Sequence, residues 1–182
     1  MQLSMQRRQA GGFSLIEALI TIVVVGVGLI GLAKIQAAAV GNTQISRVRS
    51  LVALQTESLV AAMHGNRAFW AVALTAPATF SVSGTTVTDS NSVLSTTVTK
   101  CKGSKCSSTE LAAYDVQQWA KTMNANFPGY TATGNCTTVV PVNCNITVTW
   151  IEKYIAVNST TASAAAAAQP TTQQSYTVYV LP

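Results

Sequence analysis

The sequence predicts an α+β protein in which a long N-terminal α-helix packs on a small antiparallel β-sheet. Three observations predict it. An apolar run from Phe13 to Ala33 continues without a proline to Arg67, with apolar residues at helical spacing in its second half. Two segments near the C-terminus, from Asn145 to Ile151 and from Tyr176 to Val180, alternate with the period of a half-buried strand. A helix-capping pattern and short Ser/Thr-rich runs lie between the long run and these two segments.

Bulk properties narrow the function. A chain of 182 residues holds one sizeable domain and an appendage. Only 9% of residues are charged against 48% hydrophobic, a balance suited to a membrane-attached or exported protein rather than a cytosolic enzyme. The formal charge is +5, but the bases gather only at Arg7-Arg8, Arg47/Arg49 and Lys100/Lys102/Lys105, without interleaved aromatics. That pattern argues against a nucleic-acid partner.

The stretch 13–33 holds a single charge, Glu17. At about 1.5 Å per helical residue, about 20 residues cross the roughly 30 Å bilayer core. Arg7 and Arg8 precede the stretch and no comparable basic cluster follows it directly, so the N-terminus is expected in the cytoplasm and the remainder exported. A secretory signal peptide fits poorly, because its cleavage site would follow too long an apolar region. A plain anchor leaves Glu17 unexplained, since an ionised carboxylate there costs about 2.5–3.5 kcal/mol or more. Gly26-Val27-Gly28-Leu29-Ile30-Gly31 matches a dinucleotide-binding glycine pattern. It lies in a run too long for a strand, without the acidic residue expected about 20 positions on.

From Lys34 to Arg67, Ile35, Ile45, Val48, Val52, Leu59 and Met63 predict an amphipathic continuation of the helix, about 55 residues in all. His64, the one histidine, falls at its end and has no visible partner set. Phe80-Ser81-Val82 and Thr86-Val87-Thr88 predict hairpin-like strands in an exposed connector. Ser107-Ser108-Thr109-Glu110 is a capping box, and Ala112, Val116, Trp119, Met123 and Phe127 then mark a helix that Pro128-Gly129 stops. The Ala-rich segment 156–174 is expected to form a loop tip.

Four cysteines follow the apolar run: Cys101, Cys106, Cys136 and Cys144. Three disulfide connectivities are open, of which the sequence-local pairing is favoured. A zinc site is the competing reading, although it would want tighter spacing and a reducing compartment. No nucleophile, base and orienting group can be assembled, so neither an enzyme, a cofactor nor a metal is expected.

Gly12-Phe13-Ser14-Leu15-Ile16-Glu17 resembles the cleavage signature of type IV prepilins. The resemblance implies the type IV pilin fold and a prepilin peptidase that cuts between Gly12 and Phe13 and methylates the new terminus. Glu17, then fifth in the mature chain, is implied to meet the terminal amine of a neighbouring subunit. Segments are expected as a cleaved leader (1–12), a membrane half (13–33), an amphipathic half (34–67) and an exported head (68–182). Ile30–Gln36, Ala61–Arg67, Asp115–Trp119, Phe127–Gly129 and Ile146–Trp150 are similar to PilV-type minor pilins. That similarity implies a low-abundance subunit joining other minor pilins and the major pilin at the filament tip, through the inner-membrane assembly machinery. It would start in the inner membrane, head in the periplasm, and move to the surface fibre. A minor pseudopilin of a type II secretion system is the alternative.

Overall fold

The computed structural model describes residues 14–98, 101, 105–153 and 171–182. The leader with its Gly12-Phe13 junction, Lys100, Lys102 and most of the Ala-rich segment lie outside the described residues. The chain divides into two compact units, residues 1–42 and 43–182. Helix α1 (Leu15–Gly65) contributes to both.

In the first unit Ser14 precedes α1, and its carbonyl accepts from the N–H groups of Glu17 (3.0 Å) and Ala18 (3.2 Å). Its large apolar side chains point outward on every side, from Leu15 (86% exposed) through Ile22 to Leu32. A helix that is apolar all round is at home only where something other than water surrounds it. This one is long and apolar enough to cross a membrane.

The second unit begins where the apolar residues narrow to a stripe. Val52, Thr56, Leu59, Val60 and Met63 are buried there. Each large member contributes about 1.5–3 kcal/mol on leaving water. The buried Thr56 hydroxyl donates to the Val52 carbonyl one turn back (2.8 Å), so it adds no unpaired polar group. Ile35, expected on this stripe, is exposed and lies outside this unit; burial of the stripe begins near Val48. The helix stops at Gly65, and a four-residue helix α2 (Arg67–Trp70) follows. Buried Asn66 separates them and donates to the Ser108 carbonyl (2.6 Å).

Helix α3 (Ser108–Asn126) forms as its sequence predicts. Ser107 Oγ accepts from the Glu110 N–H (3.2 Å), and Glu110 Oε2 accepts from the Ser107 N–H (2.8 Å), which completes the capping box. Ala112, Val116, Trp119 and Met123 are buried. The helix ends against Phe127, whose N–H donates to the Met123 carbonyl (2.7 Å). Gly129 then turns the chain at φ +84°, a conformation that costs glycine little.

Five antiparallel strands make one sheet in the order β2-β1-β3-β4-β5. They are β1 (Thr79–Ser83), β2 (Thr86–Asp89), β3 (Thr131–Cys136), β4 (Cys144–Lys153) and β5 (Thr171–Val180). The α+β architecture is thus the predicted one, a long helix with a small antiparallel sheet. The β1–β2 hairpin corrects the expectation of an exposed connector. Phe80, Val82 and Val87 are buried, and β1 pairs with β3 along its whole length. The segment after β2 is held as well. Asp89 accepts N–H bonds from Val93, Leu94 and Ser95, while the Gln117 amide donates to the carbonyls of Leu94 (2.8 Å) and Thr96 (2.7 Å).

Strand β3 has no counterpart in the sequence reading. Its place depends on Gly134, because a Cβ there would collide with the Phe80 ring on β1. Strand β5 starts at Thr171, earlier than the alternation at Tyr176 indicates, so the end of the expected loop tip is strand. The cysteines are joined as Cys101–Cys106 and Cys136–Cys144. The second bond links direct register partners of β3 and β4, with Cα atoms 4.0 Å apart, at the base of the hairpin loop.

Candidate functional site

Glu17 stands in the first turn of α1, exposed, with Ile16, Leu19 and Ile20 around it on the helix surface. An acid in the first turn complements the partial positive charge of the helix N-terminus, a gain of about 0.3–1 kcal/mol at an exposed position. In an apolar medium that gain falls short of the cost of the charge, which a cation at close range would offset. Among the described residues Glu17 forms no ion pair. The described part of the site is thus an exposed acid on an apolar helix surface. Gly12 and Phe13, the other residues predicted for this site, lie outside the described residues.

The second carboxylate of interest was not anticipated. Glu152 on β4 is buried, and Arg49 on α1 grips it at both oxygens, with Nε 3.0 Å from Oε1 and Nη2 2.8 Å from Oε2. The Trp150 indole N–H donates to Oε1 as well (3.0 Å). Hydrogen bonding from Arg49 holds the Glu152 carboxyl below the usual carboxylate range, against the opposing effect of burial. Further along α1, the Trp119 indole donates to the Gln55 carbonyl (2.7 Å), and the Tyr176 hydroxyl donates to Glu57 (3.3 Å). These contacts fix the second half of α1 to α3, β4 and β5. Their partners are far apart in sequence, so no local pattern could have revealed them. Trp119 and Trp150, each with an N–H that needs an acceptor, were the one available signal.

The remaining candidates stay apart. His64 is exposed at the end of α1. The cysteines are all disulfide-bonded. Among the described residues no three of His, Cys, Asp or Glu gather as metal ligands would. Tyr130 is buried against α3, its hydroxyl within reach of the carbonyls of Gly84 (3.0 Å) and Ala120 (3.2 Å), and burial pushes its ionisation well above the ordinary phenol range.

Residues 7–33 match the family model described as the prokaryotic N-terminal methylation motif. The matched span takes in Gly12, Phe13, Glu17 and the first part of α1. No curated protein and no solved structure matches the chain.

Proposed function

We propose that this prepilin-like chain is a minor pilin of a type IV pilus, a structural subunit that helps start the filament. The observation that carries the reading is the methylation motif over residues 7–33, joined directly to an outward-facing apolar helix with one acid in its first turn. In this reading prepilin peptidase removes residues 1–12 and methylates Phe13. Residues 13–33 then hold the protein in the inner membrane with the rest of the chain in the periplasm.

Glu17 supplies the assembly chemistry. Cleavage exposes a cationic amine on Phe13, and in a bundle of such helices the Glu17 carboxylate of one subunit meets the amine of the next. An unpaired charge in that bundle is expensive, so the register that pairs it is strongly preferred. A lone subunit has no such partner, which makes the first association the difficult step. Several different heads associating as a nucleus would ease it, and membership of that nucleus is the role assigned to this chain.

The test has two stages. Mass spectrometry of the protein from membranes with active peptidase should give a mature chain that starts at methylated Phe13; an uncut N-terminus defeats the reading at its first step. Deletion of the gene should then cut the number of surface pili sharply while the major pilin stays abundant in the membrane. Normal pili together with lost export of a folded protein would instead identify a pseudopilin of a type II secretion system.

A further inference from the structure

The outer face of the sheet, turned away from the buried side chains, is paved with hydroxyls in register. The strand pairings place Thr88, Ser81, Thr133, Thr147 and Thr177 side by side in one rank across all five strands. Two residues along each strand, Thr86, Ser83, Thr131, Thr149 and Ser175 make a second complete rank. Neighbours in a rank lie about 4.7–4.9 Å apart, with about 6.5 Å between ranks. Within the first rank, Ser81 Oγ is 2.7 Å from Thr88 Oγ1 and Thr147 Oγ1 is 3.0 Å from Thr177 Oγ1. The side chains are thus already ordered against one another.

Among the described side chains on this face there is no Lys or Arg, and the one acid beside it, Asp89, has its carboxylate taken up by the N–H groups of Val93, Leu94 and Ser95. An exposed surface ordinarily carries about 25–35% Lys, Arg, Glu and Asp. A sheet with free edges ordinarily uses such charges to discourage pairing. On the other side of the ranks lie Asn135, Asn145 and Tyr179, direct neighbours on β3, β4 and β5. Tyr179 is 79% exposed, and the buried side-chain amide oxygen of Asn145, Oδ1, has no hydrogen-bond donor. A shallow depression lined by Thr79, Ser81, Thr88, Thr133 and Asn135, with Phe80, Asp89 and Ser90 also in its wall, opens on the same face.

We infer that this face binds an extended, uncharged polysaccharide. Each Ser or Thr hydroxyl both donates and accepts, and so do the hydroxyls of a sugar. With no cation among the described side chains of the face, the attraction that would select a nucleic acid or an acidic glycan is missing there. The amides and the Tyr179 ring give one end of the array hydrogen-bonding forks and an apolar platform suited to a sugar ring. A rigid lattice such as ice is disfavoured because a five-stranded sheet twists by about 20° or more per strand. A flexible chain of sugars can follow that twist. Affinity then comes from many weak contacts repeated along the chain, and it does not depend on the filament role.

The full chain in detergent should be retained on at least one of amorphous cellulose, chitin or insoluble starch, equally at low and high salt. Replacing Thr133, Thr147 and Thr177 together with valine preserves shape and strand preference while removing three hydroxyls from one rank. This variant should lose about tenfold in affinity with its thermal melt unchanged, whereas serine at the same positions should keep binding. Retention on none of the three polysaccharides overturns the inference, as does retention indifferent to the valine variant. Binding confined to heparin and abolished by salt, or confined to ice, overturns it equally.

Discussion

Helix α1 is a single element with two different environments, and the contrast separates what a helix needs to form from what it needs to be stable. In residues 15–42 the apolar side chains face outward all round, and β-branched Val23, Val24 and Val25 lower intrinsic helix preference. In residues 43–65 the buried apolar positions form one stripe, covered from Val52 onward by the head, while Leu51 and Leu54 stay exposed. The second half draws its stability from tertiary burial. The first half must draw it from lipid or from other helices, which is why the charge at Glu17 stands out there while Glu152 passes as a structural ion pair.

The sharpest way to break this comparison is to cut one apolar side chain from each half. Leu59→Ala should cost the head about 2–5 kcal/mol in a denaturant melt, whereas Ile20→Ala should leave that melt unchanged. Equal losses would mean that the two halves share one folding unit. A smaller effect is expected from Ser107→Ala, which removes the α3 cap and should cost about 0.5–2 kcal/mol without changing membrane insertion.

Acid offers a graded test of the head alone. Hydrogen bonds from Ser107 lower the pKa of Glu110, and Arg49 lowers that of Glu152, both from an ordinary value of 4.5. Their contributions are fully present above that value and are lost as pH falls through the depressed folded values. Burial raises the pKa of Asp115 above 3.8, which works in the opposite sense. The melting temperature should therefore fall only modestly below about pH 4.5, and Glu152→Gln should flatten the fall. The smallest effect on the head belongs to Glu17→Ala: no change in its melt, coupled with loss from filaments. A head destabilised by that substitution would erase the distinction between the two regions.

How far the sequence revealed this arrangement depended on whether a signal was local. The capping box at Ser107 and Glu110, the stripe through Trp119 and Met123, and the alternation of Ile146, Val148 and Trp150 each lie within a few residues, and each led to the right element. Strand β3 reads Thr-Ala-Thr-Gly-Asn-Cys, small and polar residues with low strand preference. Its identity rests on the Phe80 ring that needs Gly134 bare. The β1–β2 hairpin was legible as strands, but its membership of the sheet was not, because the pairing with β3 spans some fifty residues of chain. Ile35 fits the helical period as well as Val52 does, and periodicity alone could not tell which of them the head covers. At the candidate site, Glu17 was conspicuous for its chemistry in an apolar run. The Arg49–Glu152 pair had no such contrast to reveal it.

The way α1 is held in the head also sets how the protein would carry mechanical load. A pull along the helix from its N-terminal side meets the Arg49–Glu152 clasp, then Val52, the Gln55–Trp119 hydrogen bond, Glu57–Tyr176, Leu59 and Met63. These attachments are spaced along the direction of the pull, so it acts on them as shear and loads them together. Contacts arranged across the pull would instead open one after another. The second half of the helix thus behaves as a lap joint, and its strength grows with the length of overlap rather than with the strength of any single bond.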